Sequence, residues 1–477
     1  MLHRLRLFRL LLQTMTEIRS TAPAATTFFT RWLLPSAPVS ITPLITFRIV
    51  FGLLMLASII RFWWRGWITS VYVTPKFHFT YWGFEWIHPA GAMGMHLVFG
   101  VMALAALLIT IGLAYRAAIV VFFLAFTYVE LLDVATYLNH YYFISLVSFL
   151  LIWLPANRHY SVDTLLRPEL TRLTVPAWTI GILRFQMAIV YIFAGIAKLN
   201  YDWLIDALPM RIWLPAKSHL PIVGSLMYEP WVAYLFSWFG AVYDLFIAFF
   251  LQNRTTRPFA YVFVIIFHTA TAIFFPAIGV FPYVMMVSSL IFFSANFHEK
   301  LLSRLPFYKS TTLNTYGGGT PYRYRYTSLF AACIGIYVAI QVLLPFRFLL
   351  YPGHLFWHEE GFRFSWRVML MEKSGSAYFT VKDPATKRRI EVSNTEFLTV
   401  LQEKMMSTQP DMILKYAHFL ATHYKKQGLS QPEVYGEVYV ALNGEHSRLF
   451  IDSTVNLAAQ PLSWKHYTWV LPYDKQH

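Results

Sequence analysis

Charge and cysteine are both scarce in this chain. Only 13% of its 477 residues are Asp, Glu, Lys or Arg, about half the ~25% usual in a soluble domain. Cys333 is the single cysteine, which excludes an intramolecular disulfide and a cysteine-rich metal site. Set in an apolar run, it is expected to pack as a small hydrophobe. There is no Gly-rich phosphate loop and no nucleophile elbow. His354-x-x-x-His358-Glu359-Glu360 does not have the order of a His-Glu-x-x-His zinc helix, and its segment is expected to be strand or loop, so no metal is expected. Residues 1–13 alternate Arg and Leu without a long apolar stretch or a small-residue cleavage site. They read as a short amphipathic cytoplasmic arm and not as a signal peptide.

What is abundant is apolar surface. The chain is 57% hydrophobic and 18% Phe, Trp and Tyr, with a mean hydropathy of +0.47. That composition belongs to an integral membrane protein with aromatic rings at the bilayer interfaces. The net charge of +15 could suggest nucleic acid in a soluble protein; here it is assigned to loops that stay cytoplasmic. About 20 apolar residues cross a bilayer core as one helix. Candidate spans are 45–62, 94–114, 117–135, 139–154, 178–198, 231–251, 258–276, 279–294 and 327–349. The short ones, 139–154 and 279–294, depend most on their flanking anchors.

Nine spans agree with the basic residues. Arg4, Arg6, Arg9 and Arg19 precede the first span. Arg158, Arg167 and Arg172 follow the fourth, Arg254 and Arg257 the sixth, and Lys300, Arg304, Lys309, Arg323 and Arg325 the eighth. All fall on one side, the cytoplasmic side, which leaves the C-terminal region outside. The loops of the other side carry Trp63, Trp64, Trp67, Trp82 and Trp86, then Trp203 and Trp213, as suits segments lying at headgroup level. Gly317, Gly318 and Gly319 mark a flexible turn before the last span. The organisation expected is an arm over 1–40, a membrane region over 41–350 and an extracytoplasmic α+β domain over 351–477. Within that domain, residues 362–371 and 377–381 read as strands joined by a turn at 372–375, residues 396–405 and 411–424 as helices, and residues 433–442 and 448–452 as strands.

An ionisable residue inside a span costs about 2.5–3.5 kcal/mol on insertion scales, so each needs a reason. Glu130, Asp133, Arg184, Gln186, Lys198, Asp244 and His268 lie in the spans, and Asn139 and His140 open the fourth. Pairing with Arg184 or a buried hydrogen bond accounts for the acids. Lys198 follows Ala194, Gly195 and Ala197, small residues that admit close approach. The only acid at helical spacing from it is Asp202, nearer the water. Two readings compete. Lys198 can snorkel to the interface from its helix end, or it can be a desolvated amine that acts as a base. Lowering a lysine from about 10.4 to about 7.5 costs about 4 kcal/mol, within reach of such a site.

The run Tyr191-Ile192-Phe193-Ala194-Gly195-Ile196-Ala197-Lys198-Leu199-Asn200-Tyr201-Asp202-Trp203 resembles the signature of the vitamin K-dependent gamma-glutamyl carboxylase family, whose members carry an HTTM domain. Further similarity lies in Asn139-His140 with Tyr142, Ala156-Asn157 with Ser161-Val162-Asp163, Asp244, and Phe267-His268. It continues in Gly279-Val280-Phe281-Pro282-Tyr283-Val284-Met285 with Ser288-Ser289, in Gly361-Phe362-Arg363-Phe364-Ser365-Trp366, in Gln431-Pro432, and in Trp464 through Trp469-Val470-Leu471-Pro472. The order and spacing over most of residues 40–475 carry the resemblance, more than any one motif.

The resemblance implies oxidation of reduced vitamin K, the hydroquinone, by O2 to the epoxide, coupled to addition of CO2 to glutamates of a protein substrate, without a metal. It implies Lys198 as the base, with Asn139, His140, Asn157, His159 and His268 expected around the quinol; Trp366 and Arg367, near the start of the outer domain, are expected along the peptide path. The partners implied are the lipid bilayer and a glutamate-containing protein, with no nucleic acid. Two departures stand out. Vertebrate members place His directly after the Asn of the Ala-Asn motif, where this chain has Arg158 and then His159; this bears on the carboxylation step more than on epoxidation. Vertebrate members also carry a disulfide that one cysteine cannot form. The lone cysteine and the lack of a cleavable-signal pattern point to a bacterial plasma membrane. The alternatives are a quinol epoxidase without glutamate carboxylation and a non-enzymatic membrane scaffold that binds quinone or lipid.

Overall fold

The computed structural model describes residues 37–308, 322, 324 and 327–473. The arm over 1–13, the glycines 317–319 and the basic residues Arg4, Arg6, Arg9, Arg19, Lys309, Arg323 and Arg325 lie outside the described residues.

The chain is a helical membrane protein with a β-containing C-terminal domain. A short strand β1 (Pro38–Ser40) leads into α1 (Thr42–Trp64). Then come α2 (Gly91–Ile111), α3 (Tyr115–Leu131) and α4 (Asn139–Trp153). Strand β2 (Thr174–Pro176) pairs antiparallel with β1 and precedes α5 (Trp178–Ala197). The helical part closes with α6 (Pro230–Gln252), α7 (Arg257–Phe274), α8 (Phe281–Ser288) and α9 (Thr327–Leu343). Each of the nine candidate spans falls on one of these helices. Six helical runs are long and apolar enough to cross a membrane: Thr42–Trp64, Gly91–Ile111, Trp178–Ala197, Pro230–Gln252, Arg257–Phe274 and Ser328–Leu350. Asn139–Trp153 and Phe281–Phe292 are shorter apolar helices. Gly279, at φ +69°, turns the chain just before the last, whose α-helical part gives way to a tighter turn at Ser289–Phe292.

Local chemistry sets these boundaries. Pro43, Pro230, Pro258 and Pro282 stand in the first turns of α1, α6, α7 and α8, where a missing N–H costs nothing. Gly112 ends α2 in the left-handed conformation. Close helix contacts are made through glycine. A Cβ on Gly52 of α1 would collide with Thr110 and Ala106 of α2, and one on Gly195 of α5 would lie 2.5 Å from the Leu245 nitrogen of α6. Cys333 is exposed on α9 and not packed inside, because its helix turns that position outward.

The C-terminal domain is built on a four-stranded antiparallel sheet of order β4-β3-β5-β6, formed by β3 (Lys373–Asp383), β4 (Arg388–Val392), β5 (Glu433–Leu442) and β6 (Arg448–Leu449). Ala377, Phe379 and Val381 of β3 and Val434, Val438 and Val440 of β5 are buried, while Tyr378 between them is exposed, the alternation of a half-covered sheet. Helices α10 (Val400–Met406) and α11 (Pro410–Lys426) cover the buried face, with Tyr416 edge-on to Phe379 at 5.1 Å.

Two expectations for this domain fail. Residues 362–371 are not a strand; Phe364, Trp366 and Met369 take positive φ values of 63°, 59° and 55°, which no β ladder accommodates. The strand instead runs through the expected turn at 372–375, and β4 follows it. The segment around His354 and His358 contains a one-turn helix, Leu355–His358.

The domain sits on the ends of the helices. Gln402 Nε2 donates to Asp133 Oδ2 and to the Phe77 carbonyl, both at 2.7 Å. Asn443 Nδ2 donates to Asp202 Oδ2 at 2.8 Å. Trp213 donates to Glu372, and Lys415 to the Thr80 carbonyl. Asp133 lies between the end of α3 and Asn139 at the start of α4, and Asp202 lies just past Lys198 at the end of α5, so the domain covers that end of the bundle.

Candidate active site

Helix α5 runs out at Ala197, and Lys198 is the residue after its last turn. Its side chain could extend to water, but it folds back. Lys198 is 5% exposed; its Nζ donates to Asp244 Oδ2 at 2.7 Å and to the Ala194 carbonyl at 3.3 Å. The structure rules out the snorkelling reading and supplies an anion that helical spacing did not reveal. The partner comes from α6, 46 residues away, a distance at which helical spacing gives no signal. Arg184, expected as partner for the acids, donates instead to the carbonyls of Ile291, Phe292 and Phe293. Asp133 makes the buried hydrogen bonds to Gln402 and the Ala135 N–H.

The pair faces a cavity of about 430 Å³, within the usual range for small-molecule sites of about 300–1,000 Å³. Tyr191 and His268 supply its other polar side chains near the pair. Tyr191 Oη lies 3.2 Å from His268 Nε2 and 3.2 Å from Ser289 Oγ. His268 is 1% exposed, and its Nδ1 has no partner among the described residues. Trp203 sets its ring 5.2 Å from Lys198 Nζ, close enough for a cation–π contribution. The remaining wall is apolar. Leu235, Phe239, Phe263 and Ile266 line the cavity on one side and are also exposed on the outer face of α6 and α7, the face a bilayer would cover.

The irregular segment 361–371 forms another wall through Val368 and Met369. Asn139 holds it: Nδ2 donates to the Arg367 carbonyl at 2.7 Å, while Oδ1 accepts from Tyr137 Oη at 3.0 Å. Tyr137 Oη in turn accepts from the Phe364 N–H at 2.8 Å. Trp366 is buried and stacks on Tyr142 at 5.0 Å, so its ring belongs to the core and not to the cavity wall. The Arg367 guanidinium lies over the Phe348 ring at 4.3 Å, and burial brings its pKa down to about 10. His140 is buried one ring away from the cavity, 5.9 Å from Phe281, which is 5.8 Å from His268.

Asn157 and His159 are elsewhere. They follow the C-terminal end of α4, whose 15 residues rise about 22 Å from Asn139. Asn157 Nδ2 donates to Asp163 Oδ2 at 2.7 Å, and Asp163 accepts from the N–H groups of Ala114 and Tyr115 at the start of α3. Arg48 bonds the carbonyls of Ala156 and Tyr160 in the same cluster. His159 stands near Tyr308 at 6.0 Å. This motif ties helix ends together, and the Arg158-His159 departure therefore lies far from Lys198.

Sequence reasoning missed the Lys198–Asp244 pair and the grouping of Tyr191, His268 and Ser289. The available signal was that all of these polar residues sit in apolar helices, where each needs a partner.

The HTTM domain family matches residues 36–297, and the vitamin K-dependent gamma-carboxylase lumenal domain matches residues 326–476. No solved structure matches the chain. With the first match covering more than half of the sequence and the second taking up nearly all that follows, the chain belongs to the vitamin K-dependent gamma-carboxylase family.

Proposed function

We propose that this protein oxidises reduced vitamin K with O2 in the Lys198 cavity and couples that oxidation to CO2 addition at glutamate residues of a protein substrate. The observation that carries the reading is one lysine amine, buried in an apolar cavity of about 430 Å³, with a single carboxylate partner. A hydroquinone has an apolar ring and two hydroxyls. The cavity offers apolar walls, an amine and the His268 ring, whose Nδ1 has no partner among the described residues, so its residues fit such a molecule. When bound, the quinol supplies the reducing electrons and, with O2, the strong base that glutamate deprotonation needs.

The chain's own residues do the rest. Lys198 Nζ takes a phenolic proton. His268, held by Tyr191, whose hydroxyl also meets Ser289, orients a hydroxyl. The aromatic walls and the segment 361–371 exclude water, which would quench a strong base. The C-terminal domain over 351–477 lies outside the cytoplasm, in a nine-span topology, and helps to hold the peptide over the cavity. Asn139 supports that wall, and Arg367 lies along the peptide path.

The test uses purified protein with reduced vitamin K, O2 and labelled bicarbonate, with and without a glutamate peptide, against Lys198→Ala. Epoxide and fixed label in the wild type, both lost in the variant, are expected. Epoxide without label would leave an epoxidase. Neither signal from folded protein would make it a binding scaffold.

A further inference from the structure

We propose that Asp244 is the proton store of Lys198: when a quinol fills the cavity, the ammonium proton passes to Asp244, leaving a neutral amine toward the substrate. The proposal rests on the reading of Lys198 as the quinol base. It answers a conflict in that reading, since a base needs a free lone pair and the structure gives Lys198 an anion 2.7 Å away.

The pair is built by backbone contact. A Cβ at Gly195 would lie 2.5 Å from the Leu245 nitrogen, 2.7 Å from its Cα and 3.0 Å from the Asp244 carbonyl carbon. Only glycine permits that approach, and it fixes the register that sets Asp244 opposite Lys198. One turn earlier, Gly240 leaves room for Trp203 and the Lys198 side chain, 3.7 and 4.0 Å from where a Cβ would sit. Asp244 is 6% exposed. The titratable groups facing the pair are Tyr191 on α5, Tyr243 on α6 and His268 on α7. Asp202, in the turn after Lys198, is engaged by Asn443. The 361–371 segment offers only Val368 and Met369 to the cavity. Among the described residues, no second cation is bonded to Asp244.

An ion pair and a neutral amine–carboxylic acid pair hold the same protons. Water favours the charged form by solvating both ions; removing water withdraws that solvation, while the neutral form loses little. An apolar quinol that displaces water therefore tilts the pair toward neutrality. One N–H bond breaks at Nζ and one O–H bond forms at Oδ2, with no net transfer of electrons and no co-reactant. The Nζ lone pair then takes the phenolic proton and becomes the ammonium that balances the quinolate. Asp244, keeping its proton, sets no second anion beside the quinolate. Asp244 is thus a positioning residue that acts through Lys198.

Because the proton moves inside the pair, the neutral amine does not depend on exchange with bulk water. The wild-type kcat for quinol oxidation is expected to be flat over about pH 6.5–9. In Asp244→Asn the amine must release its proton to solvent, and kcat should rise about tenfold per pH unit toward a single plateau. Asp244→Glu should restore the flat profile at a lower rate. Binding of reduced vitamin K without O2 should also produce a protonated-carboxyl band in infrared difference spectra, absent in Asp244→Asn. The Asp244→Glu profile and the wild-type band keep the test decisive if Asp244→Asn does not fold. Turnover that needs Lys198 but has one pH shape in wild type and Asp244→Asn, or no carboxyl band on binding, overturns the proposal alone. Absence of any quinol oxidation in the wild type overturns the base reading and the proposal with it.

Discussion

Lys198 owes its surroundings to a residue with no side chain. Gly195 lets α5 press on the α6 backbone, and only then do Nζ and Asp244 meet. Gly195→Val is expected to push the helices apart at a cost of roughly 1–3 kcal/mol, with loss of most quinol turnover. Gly181→Ala lies on the same helix, meets nothing within 4 Å and should be neutral or stabilise by up to about 1 kcal/mol. Thermal unfolding in detergent checks both, and equal melting temperatures would refute the packing argument. At this scale the sequence shows which residues are costly but not whom they meet. Asp202 is four places from Lys198 and was visible; Asp244 is on another helix and was not. Asn157 and His159 show the converse, since similarity to a motif does not reveal at which end of a helix its residues lie.

The segment 361–371 is the element that sequence pattern misread. Its alternating apolar residues resemble a strand, yet three non-glycine residues take left-handed φ, each costing on the order of 1–3 kcal/mol. The bonds from Tyr137 and Asn139 hold it in that form. Asn139→Ala and Tyr137→Phe should each cost roughly 1–3 kcal/mol, the price of a buried carbonyl or N–H left unpaired, and should speed amide exchange within 361–371 while β3 and β5 stay protected. Unchanged exchange in that segment would show that packing alone holds it. Helix α11 and strand β5, in contrast, were legible from periodicity, because one face of each is simply buried.

For the whole molecule, each predicted span meets a helix, and six helical runs are long and apolar enough to cross a membrane, because hydrophobic length is a property of a single segment. How the C-terminal domain sits on the bundle was not legible, because Asp133–Gln402 and Asp202–Asn443 join residues 269 and 241 positions apart. A reporter fused after His477 should be extracytoplasmic; a cytoplasmic signal would overturn the nine-span count. The domain should also be acid-sensitive. His358 is buried, and its Nδ1 accepts from the Glu360 N–H at 3.0 Å. Burial first, then the nearby His466 charge, pushes its pKa down to about 4. The unfolded chain, with histidine near 6.5, binds the proton more readily, so stability falls as pH drops from about 6.5 to 4. His358→Gln should flatten that slope in melting experiments. An unchanged slope would assign the acid response elsewhere.

On the proposed reading, the wall of Leu235, Phe239, Phe263 and Ile266, shared by the cavity and the outer face of α6 and α7, would make the membrane itself the solvent from which the quinol is drawn. Turnover should then follow the mole fraction of quinol in the lipid phase. Adding empty lipid at constant total quinol should slow the reaction by surface dilution, whereas a site fed from water would respond only to the free aqueous concentration.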